Sequence, residues 1–517
     1  MMLRLAAALG AGALQVLSLD PFGFWPAAVI APAILYVLMR PEREPDAAGA
    51  SGASRSPSLS QLLRPAAIGL VYGIGLFAAG AHWVYFSLHD FGTGHIASAL
   101  AATAILVLLC ALFYALIGAA FALLHRGFWD PCLFAALWML AEALRGFLVF
   151  PWLDLGHAIG PHSGWLSLVG STGVSGLLAL SGAMAVNWFN WTRPQKRAMA
   201  AALIWIWVGG PLLKYVPWSD PSGEPIPVVL IQPNIPQQDK WLKGGATGWA
   251  SQLIRLSHPY WDQGALVVWP EAAVTVPHEV IGGRMAEILD RYQGAGLLYG
   301  TIETEARGSY SILVGAGAAE GLYRKRQRVP FGEYVPLEAV LGDVLEFFGA
   351  HQPRILAGAG RQPLLRHRSD AAGGTLLLAP AICYEIAYAD LVRADAVRSG
   401  AIVTVSNDAW FGDSIGPQQH LQLARVRAIE NARPVLRATS DGVSALIAAD
   451  GRIVARLDKG ETNVAAELSD LDAGALVGAL VPLSGTTLWQ LIGPLPIWLL
   501  GLAMVGWSGY QRWFGKS

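Results

Sequence analysis

Charged residues are scarce in this sequence, and their scarcity limits the classes of protein that it can encode. Asp, Glu, Lys and Arg make up 14% of the 517 residues, against about 25% in ordinary soluble domains. The formal net charge is −1, and no long basic stripe interrupts the chain, which argues against nucleic-acid binding. Hydrophobic residues reach 54% and include 20 Trp. Part of the chain is therefore expected to face lipid.

Cysteine is also rare. The chain has three Cys residues, and Cys110 and Cys132 lie in strongly apolar segments, so no disulfide framework is expected. The 11 His residues are scattered without HExxH or CxxC spacing, so neither a metal site nor a cofactor is predicted. Cys383 remains as a single thiol in the polar half, where it serves either chemistry or packing.

Residues 1–219 alternate long apolar runs with short polar breaks, and a membrane-spanning helix needs roughly 20 apolar residues. Seven runs fit, and an eighth follows the polar half, so we predict a polytopic α-helical membrane bundle of about eight transmembrane helices. The first run has features of a secretory signal, but the next run follows closely, which favours a retained helix. The predicted spans are 3–19, 23–39, 65–88, 95–124, 131–149, 165–190, 198–214 and 487–511.

Lys and Arg residues in the short loops predict the orientation of this bundle. If the N-terminus is cytoplasmic, the other side's short loops receive essentially only Arg145, which we expect to pair structurally with Glu142. Both termini would then be cytoplasmic and residues 220–480 would lie outside the cytoplasm. The cytoplasmic side would collect Arg4, Arg40, Arg43, Arg55, Arg64, Arg126, Arg193, Lys196, Arg197, Arg512 and Lys516.

The texture changes from about Pro225, where short apolar runs alternate with stretches of helical spacing. This alternation predicts an α/β domain with a covered, mixed sheet, and Asp450-Gly451 predicts a hairpin. The predicted strands are 228–232, 265–269, 296–302, 311–317, 375–379 and 401–406, and the predicted helices are 247–257, 282–293, 385–398 and 417–432. The predicted domains are 1–219, 220–480 and 481–517.

Cys383 stands where an apolar, strand-like run ends and residues 384–398 begin a helical pattern. A thiol at such a junction lies near the positive end of the helix dipole, which favours the thiolate. This is a suitable place for a nucleophile. The alternative is a buried, inert Cys that contributes only packing.

Two further residues could act with such a thiol. Glu271 follows a strand and a Pro, and Lys325 is the single Lys in a run of Arg residues. A carboxylate that takes the thiol proton, an ammonium that holds an oxyanion and a thiol that attacks form a coherent acyl-transfer site. The alternative is that Glu271 is a solvated strand end and Lys325 part of a solvated basic face.

A serine-hydrolase pattern, G-x-S-x-G, occurs at 412–416 with His420 nearby. That motif requires the Ser at a sharp turn directly after a strand. Here the predicted strand ends near Ser406, well upstream of Ser414. We therefore disfavour a serine nucleophile.

Four motifs in order resemble the nitrilase superfamily, and together with the membrane part they resemble its membrane-bound family, the apolipoprotein N-acyltransferases. The resemblance covers the full length. It implies a four-layer αββα sandwich standing on a helical bundle in the bacterial inner membrane, with the catalytic domain in the periplasm. The motifs are WPE at 269–271, KRQRVPFGEYVP at 325–336, ICYE at 382–385 and SNDAWFGDSIGP at 406–417.

The resemblance also implies roles for particular residues. The family's Glu-Lys-Cys triad falls on Glu271, Lys325 and Cys383. Gln327-Arg328 departs from the usual pair within the lysine motif, which concerns local loop packing only. The family's supporting and substrate-binding positions fall on Trp241, Glu333, Tyr384 and Glu385.

The reaction implied is a two-stage acyl transfer without a cofactor. Cys383 takes an acyl chain from a phospholipid, typically phosphatidylethanolamine, and forms a thioester. The α-amino group of a diacylglyceryl-cysteine at the N-terminus of an apolipoprotein then accepts the chain. A thioester needs shielding from water, and residues 338–350 form either an amphipathic lid over it or an ordinary packed helix.

Three other functions compete with this interpretation. A membrane-tethered amidase or nitrilase could carry the same triad, but a small soluble substrate requires neither eight spans nor external placement. An inactive scaffold would not need all three triad residues. A transporter fits poorly with few intramembrane charges and a large enzyme-like domain.

Overall fold

The computed structural model describes residues 1–40, 58–237, 240, 245–330, 332–334, 355–463 and 473–514. The chain forms two compact units. The first consists of Met1–Tyr85, Leu100–Val216 and Ile492–Ser517, and the second of Phe86–Ala99 and Pro217–Leu491. The predicted domain boundaries at 219/220 and 480/481 stay predictions.

The first unit is built from apolar helices. Six of the predicted spans fall on one α-helix each, but 65–88 covers both Leu59–Gly80 and Trp83–Leu88, and 487–511 covers both Leu488–Ile492 and Leu495–Phe514. Among the described residues, four helices are long and apolar enough to cross a membrane: Leu59–Gly80, Ile96–Leu124, Asp130–Leu148 and Leu166–Asn190. Eight spans remain a prediction. The α-helices that precede Pro217 in the chain are α1 Met2–Val16, α2 Ala27–Met39, α3 Leu59–Gly80, α4 Trp83–Leu88, α5 Ile96–Leu124, α6 Asp130–Leu148, α7 Leu166–Asn187 and α8 Arg193–Leu213.

Glycines allow these helices to approach closely. A Cβ on Gly12 of α1 would lie 2.0 Å from the Tyr72 carbonyl oxygen of α3, and a Cβ on Gly75 would lie 2.1 Å from the Leu9 carbonyl oxygen. In lipid, where no hydrophobic effect draws helices together, close backbone packing through small residues is a main source of association. Helix α3 begins with a capping box at Ser58.

The prediction that Arg145 pairs with Glu142 is wrong, because Arg145 pairs with a different carboxylate. Arg145 bonds Asp154 at 2.5 Å and donates to the Trp152 carbonyl at 2.7 Å. Glu142 accepts from the Trp138 indole N–H at 2.8 Å and from the Leu155 N–H at 3.0 Å. Asp154 lies beyond the end of α6, and its separation from Arg145 in sequence hid the pair.

The second unit contains two large sheets. The six-stranded sheet has the order β14-β2-β3-β4-β5-β7 and the seven-stranded sheet the order β13-β12-β11-β10-β9-β8-β6, while β1 pairs with β15 alone. The strands are β1 Ser219–Pro221, β2 Ile226–Gln232, β3 Leu266–Val268, β4 Gly296–Glu305, β5 Gly308–Gly317, β6 Ala319–Glu320, β7 Leu322–Arg324, β8 Leu365–Ser369, β9 Gly374–Ile382, β10 Ala401–Ser406, β11 Val435–Thr439, β12 Ser444–Ile447, β13 Ile453–Leu457, β14 Gly474–Leu480 and β15 Leu483–Gly485.

Both sheets are mixed, as predicted. Strands β2, β3 and β4 run parallel, and so do β9, β10 and β11, whereas their outer neighbours pair antiparallel. Because parallel strands end at the same edge, the segments that follow β9 and β10 lie side by side. The hairpin predicted at Asp450-Gly451 is confirmed between β12 and β13.

The sheets stack into a four-layer sandwich. Val228 of β2 packs with residues of the seven-stranded sheet, and the neighbouring Val229 packs towards helices α9 Gly245–Trp261 and α10 His278–Leu289, following the two-residue period of a strand. Helices α11 Ala389–Ala396 and α12 Gly416–Asn431 cover the seven-stranded sheet. The remaining helices are α13 Leu488–Ile492 and α14 Leu495–Phe514.

One predicted helix differs from the structure. The pattern at 384–398 predicted a helix directly after Cys383, but the chain first forms a 3-10 turn at Cys383–Ala387 and only then enters α11. The Tyr388 backbone between them is extended. Within this turn the Glu385 carboxylate accepts the Ile382 N–H at 2.8 Å.

Candidate active site

Cys383 follows β9 immediately and has a left-handed backbone, with φ at +53°. This conformation costs an L-residue roughly 1–2 kcal/mol, so neighbouring contacts have to hold it. The Glu385 carboxylate binds the N–H of Ile382 on one side. On the other side the Cys383 carbonyl oxygen faces His420 Nε2 at 3.1 Å. The result is a sharp strand-to-turn elbow at a half-buried Cys383.

Lys325 follows the short strand β7 and is fully buried. Its Nζ lies 3.2 Å from Glu271 Oε1 and 2.5 Å from Glu333 Oε1. The other oxygen of Glu333 accepts the Val329 N–H at 2.9 Å, which fixes the carboxylate. The structure thus brings together Glu271, Lys325 and the supporting Glu333.

Glu385 joins the lysine loop to the elbow. Its buried carboxylate accepts from the Tyr323 hydroxyl at 2.9 Å and from the N–H groups of Arg326 and Gln327 at 2.6 and 3.1 Å, besides that of Ile382. A buried carboxylate needs such donors to offset its lost hydration. One side chain therefore fixes the position of Cys383 relative to Lys325.

The other two supporting residues have different outcomes. Tyr384 is buried beside Cys383, and its ring contacts that of Tyr388 edge-on at 5.2 Å. Trp241 lies outside the described residues, as does the segment 338–350 that was considered as a lid. In Gln327-Arg328, the pair that departs from the family's usual residues, the Arg328 guanidinium stacks over the Tyr334 ring at 4.3 Å.

The electrostatics of the cluster differ from one group to the next. Burial lowers the pKa of Lys325, but Glu271 and Glu333, followed by Cys383, outweigh it, so the pKa lies well above its ordinary value. Lys325 is therefore an ammonium ion. Burial, and after it the charge of Glu271, raises the pKa of the Cys383 thiol well above its ordinary value, although Lys325 opposes them.

The expectation that a helix dipole favours the Cys383 thiolate is therefore wrong for the resting protein. The thiol begins a five-residue 3-10 turn rather than a long α-helix, and it faces carboxylates. The resting form is the neutral thiol, and attack requires a base.

Sequence reasoning missed Lys240. Its side chain is 2% exposed, and its ammonium nitrogen has no hydrogen-bond partner among the residues that the structure describes. Burial lowers its pKa to about 8, although Glu271 and Asp441 oppose this. Lys240 directly precedes Trp241 in the segment NIPQQDKW at 234–241. Its position next to a predicted substrate-binding residue is the sequence signal that could have identified it.

The serine motif does not form a serine-hydrolase site. The Ser414 hydroxyl donates to the Phe411 carbonyl at 2.7 Å and accepts the Gly416 N–H at 3.1 Å. His420, which the sequence placed near this Ser, bonds instead with Asp408 at 2.9 Å and meets the Cys383 carbonyl. Within the described residues no cluster of three or more His, Cys, Asp or Glu side chains could hold a metal ion.

Comparison with known proteins assigns the class first. Residues 228–475 match the carbon-nitrogen hydrolase family, which agrees with two mixed sheets between helices and a residue in an elbow after a central strand. Residues 11–184 match the apolipoprotein N-acyltransferase N-terminal domain. The class is thus a carbon-nitrogen hydrolase fold joined to an apolar helical unit.

Full-length relatives identify the particular family. The chain is 35% identical to the apolipoprotein N-acyltransferase of Azotobacter vinelandii, over 98% of this chain and 94% of that protein. It is 35% identical to those of Pseudomonas aeruginosa strain LESB58, over 95% and 94%, and of Methylococcus capsulatus, over 96% and 94%. The chain belongs to the apolipoprotein N-acyltransferase family.

Glu271→Gln should increase the reactivity of Cys383 towards iodoacetamide near pH 8. The Glu271 charge raises the thiol pKa, so its removal moves the pKa down and the thiolate population up at a given pH. Lys325→Met should do the reverse. Peptide-resolved mass spectrometry of alkylation across pH 7–10 separates Cys383 from Cys110 and Cys132, and an unchanged or upward-shifted profile in Glu271→Gln would contradict this electrostatic assignment.

Gly300→Ala should displace Glu271. A Cβ on Gly300 of β4 would lie 2.3 Å from the Pro270 carbonyl oxygen and 2.8 Å from the Glu271 Cα, both backbone atoms. We expect at least about a tenfold loss of activity, since small misplacements of catalytic groups are costly. Gly283→Ala is the control, because a Cβ there meets open space; comparable activity in the two variants would show that Glu271 has room to shift.

Lys240→Met should stabilise the protein at neutral pH. The depressed pKa means that burying the ammonium destabilises the folded state fully below pH 8, and that this cost disappears as pH rises past the unfolded value near 10.4. The gain should be about 3 kcal/mol at pH 7 and vanish by about pH 10.5. Thermal unfolding in detergent measures it, with Lys459→Met as control, since Lys459 is exposed and pairs with Asp413 at the surface; a destabilised Lys240→Met at pH 7 would mean that the ammonium has a partner.

Proposed function

We propose that this protein completes lipoprotein maturation by transferring an acyl chain from a phospholipid to the N-terminal amine of an apolipoprotein, with Cys383 as nucleophile. The observation that carries the proposal is the placement of Lys325 between Glu271 and Glu333, beside an elbow that presents Cys383. Membership of the family supports the overall reaction. The residue roles rest on the geometry.

In the first stage Glu271 takes the thiol proton as Cys383 attacks the ester carbonyl of the donor. The high pKa of the thiol makes this base necessary. The Lys325 ammonium holds the negative oxygen of the tetrahedral intermediate, and one such donor is typically worth about 10²–10³ in rate. The intermediate collapses to a thioester as the lysophospholipid alkoxide leaves and takes the proton from Glu271.

In the second stage the free α-amino group of the diacylglyceryl-cysteine attacks the thioester. Glu271 now accepts a proton from the amine, Lys325 again holds the oxyanion, and the Cys383 sulfur leaves and is reprotonated. Glu333 positions Lys325 through the 2.5 Å contact. The products are an amide-linked acyl chain on the lipoprotein and the free enzyme.

The membrane setting fits both substrates, which are anchored by acyl chains. Exposure of a chain to water costs about 0.8 kcal/mol per CH₂, so a catalytic site next to the bilayer avoids this cost. We place the protein in the inner membrane with residues 220–480 in the periplasm and both termini in the cytoplasm. Phosphatidylethanolamine is the proposed donor.

Incubation of the detergent-purified protein with phosphatidylethanolamine should increase its intact mass by one acyl chain. The added chain should be absent in Cys383→Ala, and it should disappear from the wild-type protein when a diacylated lipopeptide is supplied. Glu271→Gln should form the adduct at least about a hundredfold more slowly, because a positioned base contributes about 10²–10⁴ in rate.

The same experiment tests the alternative. A folded wild-type protein that gains no mass in the presence of lipid would lack the central intermediate of an acyl transfer. Ammonia release from small amides would then be measured, and its detection would favour an amidase over the transferase.

A further inference from the structure

We propose that His420 is a positioning residue whose Nε2–H holds the Cys383 carbonyl and thereby fixes the elbow and the direction of the Tyr384 N–H. The role of this contact in catalysis rests on the proposed function of Cys383 as nucleophile. The contact itself rests on geometry, since Nε2 lies 3.1 Å from the carbonyl oxygen. His420 is fully buried.

The ring is held from its other side by Asp408. Strand β10 ends at Ser406, and Asp408 follows in a 3-10 turn, with 1% exposure. Its Oδ1 lies 2.9 Å from His420 Nδ1 and accepts the Ser406 hydroxyl at 2.9 Å. Its Oδ2 lies 2.5 Å from the Arg437 guanidinium. Asp408 is thus fixed at both oxygens.

The backbone at Gly442 packs closely against Asp408. A Cβ on Gly442 would lie 2.6 Å from the Asp408 Cβ and 2.7 Å from its Oδ2, so a larger residue there would displace the carboxylate. Together with its bonds to Ser406 and Arg437, this packing positions the carboxylate that holds the imidazole.

The chemistry of the two contacts specifies which atoms donate. A carboxylate and a backbone carbonyl only accept hydrogen bonds, so both contacts are satisfied together when both ring nitrogens carry protons. Burial and then Arg437 hold the pKa of His420 below its ordinary value, although Asp408 and the Cys383 carbonyl oppose them, and this net direction disfavours the doubly protonated ring. The two acceptors at 2.9 and 3.1 Å are the stronger argument, because a neutral ring would turn a lone pair towards one of them.

The contact has a consequence for catalysis through the planar peptide. In a trans peptide the C=O and the following N–H point in opposite directions. A Cys383 carbonyl held by His420 therefore directs the Tyr384 N–H away from His420. Glu385 fixes the preceding peptide through the Ile382 N–H. The left-handed elbow is held from both ends, by one carboxylate and one imidazole.

Two substitutions at position 420 separate the contacts. The amide N–H of Gln in His420→Gln can reach the position of Nε2 and keep the bond to Cys383, while the shorter amide in His420→Asn replaces Nδ1 and keeps only the bond to Asp408. Neither amide titrates. Ser406→Ala is the matched control, because it removes a buried hydrogen bond to the same carboxylate without touching the elbow.

The rate of acyl-enzyme formation from phosphatidylethanolamine in a single turnover is the readout. His420→Asn should lower the maximal rate by about 10–100-fold, as expected when the elbow that positions the nucleophile shifts, at an unchanged half-saturating donor concentration. His420→Gln should stay within a few-fold of wild type, and so should Ser406→Ala. A purely structural role predicts instead that loss of rate follows loss of thermal stability across the three variants, which would overturn the proposal.

Asp408→Asn provides a second variant if substitutions at 420 do not fold. It keeps the shape of the side chain but weakens its hold on Nδ1, and it should lower the same maximal rate by about tenfold, beyond the few-fold range of the controls. A wild-type rate in Asp408→Asn, or in a folded His420→Asn, would overturn the role of His420. Wild-type protein that forms no acyl-enzyme would overturn the proposed function instead, so the two failures are distinguishable.

Discussion

The buried ammonium of Lys325 is the constraint around which the catalytic site is arranged. An ion removed from water costs several kcal/mol unless other charges and hydrogen bonds compensate it, and Glu271 and Glu333 supply that compensation at 3.2 and 2.5 Å. The two carboxylates come from different parts of the chain, after β3 and within the loop that follows β7. The ammonium therefore joins the segments at one point. Loss of either carboxylate would weaken both the fold and the proposed chemistry at the same atom.

A second layer of buried polar groups fixes the segments that carry these residues. Glu385 accepts hydrogen bonds from four donors on β7, the lysine loop and the end of β9, and Asp408 is held by Ser406, Arg437 and His420. A buried polar network destabilises the folded protein if any of its members loses its hydrogen-bond partner. Each element therefore has to fold in register with the others. The parallel strands make this possible, because β9 and β10 deliver Cys383 and Asp408 to the same edge.

The sequence predicts the regular elements well and the contacts between distant residues poorly. Strands such as β10 match their predicted bounds, because a short run of β-branched residues is a local signal. Glu271, Lys325 and Cys383 could be chosen from residue chemistry and from resemblance to a family. The pairing of Arg145 with Asp154 could not, since it depends on how the chain folds back beyond the end of α6. His420 was noticed but assigned to Ser414, and only the tertiary structure connects it to Cys383.

The raised pKa of the Cys383 thiol fits the proposed mechanism better than a preformed thiolate would. Burial and Glu271 keep the thiol protonated at rest. A protonated thiol is a weak nucleophile, so an oxidant or an unintended acyl donor that enters the site reacts with it slowly. In the proposed mechanism Glu271 has two opposite effects: its charge disfavours the thiolate, and its oxygen accepts the proton that attack releases. Once Glu271 is protonated its charge is gone, and the ammonium of Lys325 faces one carboxylate fewer. That ammonium becomes more available to the developing oxyanion at the moment when the negative charge forms. Proton transfer and oxyanion stabilisation are thereby coupled through a single lysine.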